Sequence, residues 1–122
     1  MKIGWVCFVG LAVLLMSVPV GAIQVEPETI YDTITEGETD WFSRDISSST
    51  FDVYLVWDDP SDSLTLTIHS PDGSDQTFRD GDDGKVDGKI ILTIRNAEQG
   101  QWYFEVYGEE VSGVEDYSFS VY

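Results

Sequence analysis

Four aspartates lie close together between residues 80 and 87, in a segment that reads DGDDGKVD. Calcium takes roughly six to eight oxygen ligands, several of them carboxylates, on a loop that glycine makes flexible. The spacing is not that of an EF-hand, because a glycine stands where a third ligand is expected and a lysine replaces the glycine of the turn. The segment predicts either a calcium site of another kind or a solvated acidic hairpin loop. The candidate ligands are Asp80, Asp82, Asp83 and Asp87.

A second acidic cluster surrounds Pro60 and comprises Asp58, Asp59 and Asp62. Its carboxylates could complete a metal site if folding brought them close to another acidic loop. The alternative is turn chemistry, since aspartate and proline favour turns whether or not a metal is present. We therefore rank this cluster below the first as a candidate metal site.

The chain has one histidine, His69, and the alternation around it places this side chain on the outer face of a strand. A lone histidine on such a surface is more often a plain surface residue than a catalyst or a ligand. No nucleophile-elbow pattern supports a serine–histidine–aspartate triad, and pairs of carboxylates carry little information in so acidic a chain. We therefore expect no enzymatic activity and name no catalytic residue.

Three tyrosines, Tyr54, Tyr103 and Tyr107, are expected to point outward from their strands. Together they are the candidate ligand-binding residues. The alternative is β-propensity, because tyrosine is favoured on half-buried strand surfaces without any ligand.

Period-two alternation identifies the elements that must position these side chains. Phe51, Val53, Leu55 and Trp57 share one face of a strand, and a second such run follows at residues 63–70. Seven to eight short strands with this spacing predict an all-β fold, a jelly-roll-like antiparallel β-sandwich. The predicted strands are residues 29–35, 41–46, 50–57, 63–70, 76–79, 89–94, 101–107 and 116–122. Trp41, Trp57 and Trp102 are expected to contribute to the core.

Residues 1–22 predict a secretory signal peptide. Lys2 is followed by an almost wholly apolar run over residues 3–20, and the small residues Gly21 and Ala22 precede the expected cleavage point. The alternative is an uncleaved membrane anchor, for which the run is long enough. Cleavage would leave residues 23–122 as a single domain, located outside the cell or at its surface, and would remove the one cysteine, Cys7.

The charge of the chain excludes several classes of partner. The formal net charge is −17, and loss of Lys2 with the signal peptide leaves five basic and 23 acidic residues, a net −18. A phosphate backbone would be repelled, so nucleic acid is not an expected partner, and anionic membranes are disfavoured for the same reason. Adaptation to high salt, calcium binding and simple solubility all remain explanations of the acidity.

Several motifs in order resemble the bacterial and archaeal pre-peptidase C-terminal domain family. They are ETDWF at residues 38–42, LVWDDP at 55–60, LTL at 64–66, PDG at 71–73 and GQWYFEVYG at 100–108. The resemblance implies a calcium-associated β-sandwich attached to secreted peptidases. It also implies a tyrosine platform, as in related collagen-binding domains. One departure is that Ser63 and Thr65 stand where many relatives have aspartates, which puts a metal role for that strand in doubt.

The sequence thus predicts a secreted, non-catalytic binding or accessory domain, with calcium as a candidate stabilising ion. Its expected partner is an extracellular protein or polymer surface. The alternative is an accessory that assists the folding or secretion of an extracellular peptidase. Stable membrane insertion is not expected once the signal peptide has been removed.

Overall fold

The computed structural model describes residues 28–122, so the predicted signal peptide lies outside the described residues. Eight strands form here, with one short 3₁₀ turn at Asp80–Asp83. The strands are β1 (Glu28–Thr35), β2 (Thr39–Ile46), β3 (Thr50–Trp57), β4 (Ser63–His69), β5 (Asp75–Arg79), β6 (Lys89–Arg95), β7 (Gly100–Glu110) and β8 (Val114–Val121). No helix within residues 28–122 has the length and apolar character needed to cross a membrane.

Two four-stranded sheets pack face to face. Sheet I has the strand order β1-β8-β3-β6, and sheet II has the order β2-β7-β4-β5. Every strand pair is antiparallel. This is the strand order of a jelly roll, in which the chain repeatedly crosses between the two sheets. The predicted antiparallel β-sandwich is therefore confirmed, at the upper end of the predicted number of strands.

The core lies between the sheets and follows the predicted alternation. Phe104 and Phe119 are fully buried, and their ring centroids are 5.3 Å apart, one from each sheet. Trp57 and Trp102 are also buried, as predicted, and their indole N–H groups donate to the carbonyls of Asp62 and Glu98 at 3.0 and 2.8 Å. These hydrogen bonds allow a polar N–H to enter an apolar interior.

The expectation that Trp41 belongs to the core is wrong, since 58% of this residue is exposed. Consecutive residues of a strand face opposite sides, so Trp41 and Phe42 cannot both point inward. Phe42 has the same parity as the buried Ile46, and its ring stacks on Phe119 at 4.9 Å. Phe42 therefore takes the inner face and leaves Trp41 on the outer face of sheet II.

The predicted strand at residues 101–107 is too short, since β7 continues to Glu110. A register shift against β4 between Ser63 and Leu64 accommodates the extra residues. Gly108 lets β7 lie close to the end of β1, because a Cβ at this position would lie 2.3 Å from the Thr35 carbonyl oxygen. The lengthened strand carries Glu109 and Glu110 beyond the predicted end.

Candidate functional site

Asp80, the first predicted calcium ligand, is buried and accepts hydrogen bonds from the backbone of its own loop. Its Oδ1 accepts the N–H of Asp87 at 3.2 Å, and its Oδ2 accepts the N–H of Gly88 at 2.8 Å. Gly88 has a φ of +77°, and a Cβ there would meet the Trp57 carbonyl oxygen at 2.9 Å. The Asp80 carboxylate therefore closes the loop in which the chain returns from sheet II to β6.

The other three predicted ligands of this loop are exposed at its surface. Asp82 accepts the backbone N–H of Arg79 at 2.8 Å, and Asp83 accepts that of Lys85 at 2.9 Å. Such bonds to nearby backbone N–H groups are ordinary turn chemistry for aspartate. Within residues 28–122, no three carboxylates of this loop come within 4.8 Å of one another. The structure therefore does not bring the four predicted ligands together.

Three carboxylates do converge at one end of the sandwich, where the β3–β4 loop meets the start of β8. Asp59, Asp62 and Glu115 each offer a carboxylate oxygen within 4.8 Å of the others. Asp59 and Asp62 belong to the cluster ranked second in the sequence, and they are joined by a turn in which the Asp62 N–H donates to the Asp59 carbonyl at 3.0 Å. The third predicted member, Asp58, contributes its backbone instead of its side chain.

Backbone N–H groups hold these three carboxylates in place. The Oε2 atom of Glu115 accepts the N–H groups of Asp58 and Asp59 at 2.9 and 3.1 Å. Asp62 Oδ1 accepts the N–H of Ser112 at 3.0 Å, and Asp59 Oδ1 accepts both the N–H and the hydroxyl of Ser61. We call Asp59, Asp62 and Glu115 the carboxylate trio.

Burial raises the pKa of Glu115, and hydrogen bonds lower the pKa of Asp59. Glu115 is 3% exposed, and desolvation, followed by a hydrogen bond with the Asp62 side chain, raises its pKa to about 7. The exposed Asp59 has a lowered pKa because the Ser61 hydroxyl and N–H stabilise its ionised form. Two adjacent buried carboxyl groups repel one another when both are ionised, and either a proton or a cation relieves that repulsion. The trio can therefore hold a proton or provide oxygen ligands to a hard cation such as calcium.

The contribution of Glu115 was missed in the sequence, although a signal for it exists. The apolar Tyr117, Phe119 and Val121 alternate along the last strand and are buried, and Glu115 shares their parity. A carboxylate at an inward position needs partners, and these turned out to be the backbone of the β3–β4 loop.

The three candidate tyrosines do not share a face. Tyr54 lies on β3 in sheet I, where it meets Tyr122 edge-to-face at 5.5 Å. Tyr103 and Tyr107 lie on β7 in sheet II and are 48% and 40% exposed. All three point outward as expected, but the two sheets separate the first from the others.

Trp41 joins Tyr103 and Tyr107 on the outer face of sheet II. In the β2–β7 register, Trp41 pairs with Glu105, midway between the two tyrosines. The Trp41 ring stacks on His69 at 5.5 Å with an interplanar angle of 22°. His69 Nε2 lies 2.5 Å from Glu105 Oε1, and its Nδ1 is 3.8 Å from Asp75. We call Trp41, His69, Tyr103 and Tyr107 the aromatic face.

Comparison with known proteins shows similarity to an archaeal protein. No family model matches the chain. A stretch of 61 residues is 49% identical to an uncharacterized protein of Archaeoglobus fulgidus. The match covers 50% of this chain and 88% of the archaeal protein.

Proposed function

We propose that this chain, which belongs to the same family as the Archaeoglobus fulgidus protein, is a secreted, non-catalytic β-sandwich domain. Its aromatic face binds an extracellular protein or polymer, and its carboxylate trio binds calcium and stabilises the fold. The resemblance to pre-peptidase C-terminal domains agrees with both parts of this proposal.

The aromatic face is the observation that carries the binding proposal. Trp41, Tyr103 and Tyr107 are large side chains that remain 58%, 48% and 40% exposed on one side of one sheet. Aromatic residues are enriched at the centres of interfaces because each contributes a large contact area at low entropic cost. The stack on His69 and the contact between His69 and Glu105 fix the Trp41 side of this surface before any ligand arrives.

The environment of His69 supports a non-catalytic role. A histidine that acts as a general base needs a nucleophile within hydrogen-bonding distance of one ring nitrogen. Here the two ring nitrogens face Glu105 and Asp75, and one ring face is stacked on Trp41. The side chain thus connects β4 to its neighbours across sheet II.

The carboxylate trio supports the calcium part of the proposal. It provides one converging oxygen from each of three carboxylates, which lie on two segments far apart in sequence, and calcium ligation would join the β3–β4 loop to β8. Neutralisation of this buried cluster would also reduce the repulsion within a chain of net charge −17. The loop at residues 80–88 offers less, since both oxygens of its one buried carboxylate accept backbone N–H groups and its other carboxylates do not converge with it.

Co-sedimentation with insoluble polymers tests the binding proposal. Collagen fibrils and cellulose are mixed separately with the protein, with Trp41→Ala and with Tyr54→Ala, and the bound fraction is measured after centrifugation. We expect at least one polymer to retain the protein, with an affinity that Trp41→Ala lowers about tenfold or more, equivalent to about 1.4 kcal/mol. Tyr54→Ala is the matched control in the collagen experiment, because Tyr54 lies on the other sheet and should not affect collagen binding. Equal sedimentation of Trp41→Ala and the unaltered protein on every polymer that binds would contradict the proposal.

A further inference from the structure

A shallow trough crosses the outer face of sheet I, on the side opposite the aromatic face. It consists of two neighbouring depressions that share Val56 and Ser118. Thr29 and Ser120 continue it toward one end, and Tyr31 and Asp116 continue it toward the other. The combined depression therefore runs along the central strand β8.

The strand register explains why a trough forms there. Ser118 pairs with Tyr31 of β1 on one side and with Val56 of β3 on the other, and Ser120 pairs with Tyr54 of β3. The small serines of β8 thus lie between larger side chains of the two neighbouring strands. Residues of alternate positions share one face, so Ser118 and Ser120 form a continuous floor.

Hydroxyl groups and aromatic rings dominate the lining. The Thr29 and Ser120 hydroxyls are 2.9 Å apart and form one hydrogen bond on the floor. Tyr31 is 80% exposed at the wall, and Tyr54 is held edge-to-face against Tyr122. A side-chain hydroxyl both donates and accepts, and an aromatic ring offers an apolar surface beside a polar group.

The middle of the trough carries no charge, although aspartates line both ends. Val56, Ser118 and Ser120 lie between one aspartate in the first depression and three in the second. At one end Asp52 accepts a hydrogen bond from the Thr93 hydroxyl at 2.8 Å. At the other end lie Asp32, Asp58 and Asp116. An anionic ligand would be repelled from both ends, whereas a neutral ligand can lie along the whole trough.

From this lining we propose that the trough binds a neutral oligosaccharide chain that lies along β8. A sugar ring presents hydroxyls that donate and accept, which the half-buried Ser118 and Thr29 hydroxyls can match. It also presents apolar C–H faces, which Tyr31 and Tyr54 can cover. A peptide that adds a strand would need an open sheet edge, whereas β8 is hydrogen-bonded to both β1 and β3. The site lies on the other sheet from the aromatic face, so it is independent of the proposed function.

The test uses four hexasaccharide probes with the full chain. Three are neutral, namely maltohexaose, cellohexaose and chitohexaose, and hexagalacturonate is the anionic counterpart. Binding is measured by calorimetry, and the site by chemical-shift changes of backbone amides in β8. We expect at least one neutral probe to bind and to shift the Ser118 and Ser120 amides. Tyr31→Ala and Tyr54→Ala should each raise the Kd about tenfold, and Trp41→Ala should leave it within about twofold.

Tyr31→Ala is the decisive variant, because this side chain is mostly exposed and its removal should not affect folding. Absence of binding by all three neutral probes would overturn the proposal. So would equal affinity for hexagalacturonate, or a loss of binding in Trp41→Ala with none in Tyr31→Ala. The last result would assign saccharide binding to the aromatic face, so a failure of the trough would be distinguished from a failure of the proposed function.

Discussion

Glu115 accepts a hydrogen bond from the backbone N–H of Asp58 at 2.9 Å, which ties the start of β8 to the end of β3. The two residues are 57 positions apart in sequence. A single carboxylate thus links the protonation of one end of the sandwich to the conformation of the β3–β4 loop. We therefore expect the stability of the fold to depend on the protonation of Glu115 and on metal binding by the carboxylate trio. It should also depend on the hydrogen bonds of Asp80 in the β5–β6 connection.

The first prediction concerns the pH dependence of stability through Glu115. Its pKa is about 7 in the native state and 4.5 in the reference state, so the native state holds the proton more tightly. The resulting stabilisation is fully present below about pH 4.5 and is lost as the pH rises through about 7. Between pH 5 and pH 8, we expect the unaltered protein to lose on the order of 2 kcal/mol more stability than Glu115→Gln, with allowance for solvent screening.

Urea unfolding at several pH values measures this difference. Glutamine retains an oxygen that can accept the N–H groups of Asp58 and Asp59, so the variant removes the titration and keeps the acceptor. Glu110→Gln, at an exposed position, is the control for loss of one charge. Parallel pH profiles for Glu115→Gln and the unaltered protein would show that Glu115 does not titrate in this range.

The second prediction is that calcium stabilises the protein through the carboxylate trio. A ligand that binds only the native state adds about 1.4 kcal/mol at ten times its Kd, and each 1 kcal/mol raises the Tm by about 4–8 °C in a domain of this size. We expect calcium to raise the Tm more at pH 8 than at pH 5, because protons compete for Glu115. Asp59→Asn should abolish most of this increase.

Asp82→Asn is the matched control for that experiment, since Asp82 belongs to the loop at residues 80–88 and is exposed like Asp59. Sodium chloride at equal ionic strength controls for screening. A calcium effect lost in Asp82→Asn and retained in Asp59→Asn would move the site to the loop. An effect no larger than that of sodium chloride would contradict calcium binding altogether.

The third prediction assigns Asp80 a structural role. Its carboxylate accepts the N–H groups of Asp87 and Gly88, and alanine would leave both without this acceptor near the protein interior. We expect Asp80→Ala to cost about 2–4 kcal/mol of unfolding free energy. The loss should be the same with calcium and with a chelator, as measured by urea unfolding. A loss seen only when calcium is present would identify Asp80 as a metal ligand instead.

The sequence predicted on which face of its strand a residue lies better than it predicted which strands lie side by side. Alternation correctly placed Trp57 and Trp102 in the core and Tyr54, Tyr103 and Tyr107 outside. It did not show which sheet each strand would join, and for this reason Tyr54 was grouped with two tyrosines of the other sheet. Sheet membership depends on strand order, which is decided by contacts between residues that are distant in sequence.

The same limit explains the carboxylate trio. Asp59 and Asp62 were recognisable as an acidic turn, but Glu115 joins them only because the jelly-roll order places β8 beside β3. The acidic loop at residues 80–87 had the better composition for calcium, yet composition does not reveal that Asp80 turns inward to accept backbone N–H groups. A local pattern identifies which residues have suitable chemistry, and the topology determines which of them meet.

The fourth prediction concerns a partly buried hydrogen bond that crosses between the sheets. The hydroxyl of Tyr117 on β8 donates to Asp40 Oδ2 on β2 at 2.6 Å. Burial raises the pKa of Asp40, and this hydrogen bond acts against the rise by stabilising the ionised carboxylate. Tyr117→Phe keeps the buried ring and removes the donor. We therefore expect the free energy of unfolding to fall by about 1–3 kcal/mol at pH 7 and the pKa of Asp40 to rise further.

This loss of unfolding free energy should shrink in acid, where Asp40 is protonated in both proteins. Urea unfolding at pH 7 and at about pH 3, below the ordinary Asp pKa of 3.8, measures this change. Tyr103→Phe on the exposed face is the control, and an equal loss at both pH values would contradict a charge-assisted bond.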